Sequence, residues 1–346
     1  MKRSMVSFAR LSRVVASIGV AALLGSLAVP AHAVTIDWVT VGDPGNTADT
    51  TGNPNPAGDV ADSFQIMKYE YTNQQYTDFL NSVDPSGTNP NSVYNTNQGS
   101  NARGGISFTS GNASGSKYAI RTNMGDKPVN YVSWFDAARV SNWLMNGATG
   151  TSSTETGAYT LSGTSTAPAV NSGATFYIPT EDQWYKAAYY KGGSTNAGYW
   201  DYATKSDTAP TAVTSGSTGI GSAGSTGNFA NYDRAADWNS QNGNGTTVGT
   251  NGGASFYGAF DMSGNVREWN DLTGVAGSSR ELRGGSWNFG VSLLSSSVVG
   301  PHAPSFEGDD AGFRLAAPVP EPSTCAMALA GLACGGYSLF HRRKRA

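Results

Sequence analysis

Apolar positions in this 346-residue chain form a continuous run near each end and short, widely spaced clusters between them. Three of the inner clusters carry a helix-start signal. Thr72 stands three residues before Gln75, and Tyr76, Phe79 and Leu80 then fall on one face; a hydroxyl followed at that spacing by a carboxamide makes a capping box. Ser133 with Asp136 repeats the device before Trp134, Ala137, Ala138, Ser141 and Leu144, and Thr180 with Gln183 repeats it before Trp184, Ala187 and Ala188. Each predicted helix offers an aromatic ring and small residues to a core. Alternating or continuous apolar pattern predicts strands over 64–70, 174–178 and 312–316.

Between these elements the chain is rich in Gly, Ser, Thr, Asn and Pro, above all over 46–58, 147–172 and 209–227, which read as surface loops or insertions. Abundant turn formers with few charges point to a loop-rich α+β domain with few short helices and short strands. Aromatic residues concentrate near the predicted elements and argue against disorder.

The two terminal runs read as addresses. Lys2, Arg3, Arg10 and Arg13 precede the apolar run Val14 to Val29 and the small-x-small site Ala31-His32-Ala33, so residues 1–33 read as a signal peptide cleaved after Ala33. At the other end Val319-Pro320-Glu321-Pro322-Ser323-Thr324 leads into an apolar stretch over 325–340 and a basic end, His341-Arg342-Arg343-Lys344-Arg345. Residues 318–346 resemble a PEP-CTERM sorting tail, which implies recognition and removal by an exosortase after transient anchoring. Sixteen helical residues span roughly 24 Å, short of a hydrocarbon core of roughly 30 Å, and the basic end would stay cytoplasmic. An ordinary C-terminal membrane helix is the alternative, although a plain anchor has no need of the Pro-Glu-Pro segment.

Trimming both ends changes the charge. Each end holds four of the 22 Lys+Arg and the tail holds one of the 25 Asp+Glu, so residues 34–320 keep 14 basic and 24 acidic groups. That balance excludes nucleic acid as a partner. Both cysteines, Cys325 and Cys334, lie in the tail, and His302 is the sole histidine between the two ends. The exported body therefore has no disulfide, no thiolate nucleophile and no thiolate metal site.

A series of signatures carries a family resemblance. They are Lys68-Tyr69-Glu70-Tyr71-Thr72-Asn73, Pro128-Val129-Asn130-Tyr131-Val132-Ser133-Trp134, Ile178-Pro179-Thr180-Glu181-Asp182-Gln183-Trp184, the run from Tyr257 to Trp269, Leu282-Arg283-Gly284-Gly285-Ser286-Trp287, and Ala311-Gly312-Phe313-Arg314. In this order and spacing they resemble the formylglycine-generating enzyme (sulfatase-modifying factor) family over 63–317, with 34–62 left as a linker or N-terminal loop. The resemblance implies a loop-rich variant of the C-type lectin fold.

It also implies metal chemistry. One family calcium site maps onto the carboxylates of Asp261 and Glu268 and the carbonyls of Gly264 and Val266; oxygen-rich loops of this kind suit a hard cation. The alternative is a turn in which the two carboxylates only cap backbone N–H groups. A second calcium site maps onto Asn231 and the Tyr232 carbonyl, with Asn-Gly-Asn-Gly at 242–245 where the family has Asp-Gly-Phe. The family's copper is held by two cysteines just after the Gly-Gly-Ser-Trp turn, and this chain has Phe289 and Leu294 there. Copper is therefore not expected. Ser286, Trp287, Asn288 and Arg314 would line the residual cleft; alternatively Arg314 pairs with an acid such as Glu268 and Trp287 packs in the core.

Other chemistries find no support. His302 sits in a Pro-rich stretch with no Gly-x-Ser-x-Gly elbow elsewhere, and Asp309 with Asp310 reads as a solvated loop. The expected function is an exported cell-surface or envelope protein with a non-catalytic, calcium-stabilised binding or structural domain. Extracellular polysaccharide or a surface protein is the expected partner, and Tyr199-Trp200-Asp201-Tyr202 offers rings for stacking on sugars. The competing reading is an oxidoreductase of the formylglycine-generating type that uses a site without cysteine.

Overall fold

The computed structural model describes residues 34–320 apart from 54, 162, 164 and 165. The expected signal peptide and the expected sorting tail beyond Pro320 lie outside the described residues, whereas Pro318, set at the start of that tail, ends a strand. Among the described residues no helix is long and apolar enough to cross a membrane.

Strand β1 (Trp38–Val41) pairs antiparallel with β2 (Phe64–Met67). The next strands, β3 (Ile106–Phe108) and β4 (Tyr118–Ile120), form a small antiparallel ribbon, and β5 (Thr211–Ala212) and β6 (Phe229–Ala230) a short parallel one. Near the end come β7 (Arg267–Asn270), β8 (Arg280–Arg283), β9 (Gly300–His302), β10 (Ala311–Gly312) and β11 (Ala316–Pro318). They give a sheet in the order β10-β7-β8-β9, while β11 joins the first sheet as β1-β2-β11. This mixed architecture of short elements and long loops agrees with the expected fold class.

All three capping boxes form as the sequence predicts. Helix α1 (Asn73–Val83) is capped by Thr72, whose hydroxyl accepts from the Gln75 amide while the Gln75 side chain accepts from the Thr72 amide. A single four-residue turn, α2 (Asn97–Ser100), follows. Helices α3 (Trp134–Met145) and α4 (Glu181–Tyr189) start on Ser133 with Asp136 and on Thr180 with Gln183 in the same reciprocal way. Each cap stabilises its helix by about 1 kcal/mol and fixes where the chain enters it.

Those entry points place the aromatic residues. On α1 and α3, Phe79 meets Trp143 edge-on with ring centroids 5.4 Å apart, and Trp134 meets Tyr159 in the same manner at 5.1 Å. Tyr76, Leu80, Val140, Trp269 and Phe313 complete that core. A second core lies under α4, where Trp184, Tyr185 and Tyr189 pack with Phe64, Ile66 and Met262. Burial of such rings is the main favourable term holding a chain with so little regular structure, roughly 2–3 kcal/mol per large side chain.

The strand expectations fare unevenly. β2 falls inside the expected 64–70, but 174–178 pairs only through a bridge from Tyr177 to Ala316. The expected strand over 312–316 is split between β10 and β11, which belong to different sheets. Residues 34–62, expected as a linker or loop, supply β1, whose residues pair in register from Trp38 with Met67 to Val41 with Phe64.

Candidate functional site

The run from Asp261 to Glu268 begins as a turn and ends in β7. Asp261, Gly264 and Asn265 take positive φ angles of 58°, 87° and 63°. At Gly264 the backbone passes so close to another segment that a Cβ would lie 2.4 Å from the carbonyl oxygen of Asn231. Glycine there allows the bridge that joins Asn231 to Gly264, and the Asn265 amide donates to the Asn231 carbonyl at 2.8 Å. The two segments singled out for calcium are thus brought together.

Asn265 is the hub of the junction, a residue the sequence reading did not single out. Its side-chain amide donates to Glu70 at 2.7 Å, and its Oδ1 accepts from the Thr246 amide at 2.8 Å and from Asn231 at 3.2 Å. Glu70, fully buried, also accepts from the Val266 amide at 3.2 Å. Burial, then the neighbouring Asp261 and Glu268, push the Glu70 carboxyl well above the usual range. Asp261 is likewise raised by burial, against hydrogen bonds from the Gly249 amide and Asn251.

Glu268 is fully committed to protein partners. Arg314 Nε donates to its Oε2 at 2.5 Å, Arg314 Nη2 to its Oε1 at 2.6 Å, and the Trp184 indole to Oε2 at 2.9 Å. Arg314 also donates to the carbonyls of Met67 and Phe260. Burial works against its charge, but Glu268 more than offsets this and raises the guanidinium above its ordinary value. Arg314 therefore lies in a buried ion pair, as the alternative reading anticipated, and does not face a cleft.

This arrangement does not fit the expected calcium ion. Every carboxylate oxygen of Asp261 and Glu268 already accepts from the protein. The Tyr232 carbonyl accepts from Ala235, and among the buried side chains assigned to the two sites Asn231 Oδ1 and Asn244 Nδ2 lack a partner, the second being a donor that no cation takes. Among the described residues no group of three His, Cys, Asp or Glu is placed to hold a metal ion.

The Gly-Gly-Ser-Trp turn carries the second cluster. Ser286 is buried and donates to Asp310 Oδ2 at 2.8 Å; Arg267 grips the same carboxylate through Nε at 3.1 Å and Nη2 at 2.8 Å. Arg267 Nη1 meets His302 Nε2 at 3.0 Å, and His302 stacks on Phe306 with centroids 4.6 Å apart. Burial and then Arg267 hold the imidazole below its ordinary pKa, so it is neutral near pH 7. Asp310, read from sequence as a solvated loop residue, is in fact 3 % exposed, because Arg267 and Ser286 bury with it. A basic residue inside the 257–269 run was the available signal, but its partner lay too far along the chain to be assigned.

Ser286 lacks the partner a nucleophile needs. Its hydroxyl donates to Asp310, a carboxylate already gripped by Arg267, while His302 faces Arg267, so no imidazole sits beside the hydroxyl. Trp287 is 2 % exposed and lies under the Arg103 guanidinium at 4.4 Å, and Asn288 accepts from Arg234 Nε at 2.9 Å. The Phe289 ring lies 5.1 Å from the Arg267 guanidinium, and Leu294 is fully buried. Neither side chain offers a donor, and the nearby imidazole has a cation against its Nε2, so copper does not fit these residues.

Comparison with known proteins agrees with the architecture. The fold resembles the crystal structure of CarF, with a TM-score of 0.50 at 22 % identity over 83 % of this chain and 99 % of that one. Treponema denticola variable protein 1 aligns with a TM-score of 0.47 at 19 % identity, over 84 % of this chain and 97 % of that one. PvdO from Pseudomonas aeruginosa aligns with a TM-score of 0.39 at 19 % identity, over 82 % and 92 %. No curated protein sequence matches the chain. Residues 29–319 match the family described as sulfatase-modifying factor enzyme 1-like domain, and the chain belongs to that family.

Proposed function

We propose that this protein is an exported, non-catalytic binding or structural module of the cell surface or envelope, built on the scaffold of its family. The observation that carries the reading is the state of the buried cluster at the Gly-Gly-Ser-Trp turn. Phe289 and Leu294 stand where the resemblance puts the copper cysteines, and the polar groups around them, Arg267, Ser286, Asp310 and His302, are spent on one another. A set of groups so fully paired packs a protein; it has no free nucleophile, base or soft ligand with which to start a reaction. The proposal leaves calcium out, because Arg314 supplies the positive charge that Glu268 needs.

Export rests on the basic and apolar N-terminal run and its Ala31-His32-Ala33 site, and surface delivery on the Pro-Glu-Pro tail, processed by an exosortase-type enzyme. The full-length protein, purified and analysed for metals, should hold well under one equivalent of copper or iron and leave a cysteine-containing peptide unoxidised in air. Near-stoichiometric copper, or turnover of the peptide thiol, would overturn the non-catalytic reading. For export, protein recovered from the producing cell should begin at Val34 and lack the apolar C-terminal stretch by mass. An intact N-terminus on that material would refute it.

A further inference from the structure

We propose that the cleft between the loop 47–51 and the turn 196–201 binds a neutral saccharide, the ring end of one or two sugar units. The cavity measures about 310 Å³, at the small end of the roughly 300–1,000 Å³ typical of ligand sites. It lies apart from the Ser286 cluster, none of whose residues lines it. This inference deepens the binding reading by giving it a ligand class.

The cleft is preformed. A bridge between Tyr190 and Tyr199 makes one wall a hairpin, and the Thr47 amide donates to the Thr195 carbonyl at 2.8 Å to fasten the other wall to it. The buried Asn46 donates to Tyr199 Oη and to the Gly58 carbonyl, both at 2.8 Å, and Tyr199 Oη donates on to Thr47 O at 2.9 Å. Such pinning lowers the ordering cost of binding.

Its chemistry selects the ligand. Thr47, Thr50, Thr51 and Asn196 bring hydroxyl and amide groups, while Tyr199 and Trp200 bring rings. Sugars have this double character, with C–H faces that stack on aromatic rings and hydroxyls that both donate and accept. Lys191 lies 4.2 Å over the Trp200 ring and steadies it, and the Trp200 indole N–H is shielded from solvent without a protein acceptor. The charged residues in the lining are Asp49 and Asp201, with no lysine, arginine or histidine. Two carboxylates repel uronates, sulfates and phosphates; Asp49 is taken up by Thr51 and Tyr185, and the exposed Asp201 accepts from sugar hydroxyls, so the ligand is neutral.

Full-length protein in a detergent without a sugar headgroup would be titrated calorimetrically with cellobiose, maltose, lactose and chitobiose, and with digalacturonate as the anionic comparison. At least one neutral disaccharide should bind with a millimolar or lower Kd, and digalacturonate at least tenfold more weakly. Trp200→Ala should abolish binding. The exposed pair Thr50→Val/Asn196→Ala, which gives up the bond from the Thr47 hydroxyl to Asn196 but keeps the backbone bond from Thr47 to Thr195 and the Tyr199 bonds, should weaken it about tenfold, and Val275→Ser outside the cleft should leave it unchanged. No binding of any neutral disaccharide at 10 mM, undiminished binding in the Thr50→Val/Asn196→Ala variant, or preference for digalacturonate would each overturn the proposal. None of these outcomes bears on the metal and thiol measurements that test the non-catalytic reading.

Discussion

Replacing Arg314 with methionine tests the claim that an ion pair, and not a metal, holds the base of the 261–268 turn. The side chain is fully buried and makes two bonds to Glu268 and one each to the Met67 and Phe260 carbonyls. Its loss leaves Glu268 buried with Glu70 and Asp261 nearby and no cation among them. Breaking one side of such a pair costs about 3–5 kcal/mol, because the surviving charge has neither water nor partner. Unfolding entropy of roughly 0.6 kcal/mol/K for a domain of this size turns a loss of about 4 kcal/mol into a Tm lower by roughly 7 °C. The assay is thermal and urea unfolding of the full chain for Arg314→Met, Glu268→Gln and the double variant. Glu268→Gln keeps an acceptor for the Trp184 indole while removing the charge, so the double variant should be destabilised by at least about 2 kcal/mol less than the sum of the singles. A cost below about 1 kcal/mol for Arg314→Met, or strict additivity, would refute the reasoning.

The same geometry makes calcium dispensable: the Tm should move by less than about 2 °C, under half the Arg314→Met effect, between excess EDTA and millimolar calcium; a larger calcium-dependent rise would show that Glu268 leaves Arg314 for an ion. Stability should also depend on pH in an unusual direction. Burial and the adjacent Glu181 push the Glu281 carboxyl up to about 8, and burial with Asp136 pushes Glu307 up to about 7. The folded chain then holds protons that the unfolded chain releases above about pH 4.3, so this contribution is whole below that value and drains as pH rises through 8. Burial also pushes Asp49 and Asp84 up, but hydrogen bonds led by those from Tyr185 and Tyr118 more than offset it, so their contribution fades as pH falls below about 4. Thermal scans should therefore show the highest Tm near pH 4–5 and a steady fall toward pH 8.5, and a flat profile over that range would contradict the assignment. Gly264→Ala should destabilise the chain by at least about 2 kcal/mol in urea titrations, since the left-handed backbone and the Asn231 carbonyl 2.4 Å from the new Cβ act together.

Helix starts were legible because their signal is local: a hydroxyl and a carboxylate or carboxamide three residues apart name the cap without knowledge of the rest of the chain. The Arg314–Glu268 pair was legible as an alternative because both residues sit in signatures of the resemblance. Strands β7 and β8 were not legible. Arg-Glu-Trp-Asn and Arg-Glu-Leu-Arg lack the alternation of a half-buried strand, and only the pairing of Glu268 with Arg314, Arg283 with Glu181 and Arg280 with Asp271 lets them lie inside. Asp310 was misread for the same reason, since its burial depends on Arg267, forty-three residues earlier. The calcium expectation was carried over by position in the resemblance, and position does not tell which donors will already be satisfied. The residues that wall the saccharide cleft come from two loops whose polar composition gives no hint that they fasten to each other.

The sheet β1-β2-β11 sets an order of events during folding. Its middle strand pairs on one side with residues close behind it, yet on the other with the last strand described, residue 316 beside residue 66. Closure across so wide a loop is entropically slow, and a chain that folds from its N-terminus keeps one edge of that strand open until almost every described residue is in place. Trimming that removed even three residues upstream of Val319 would leave the edge bare for good.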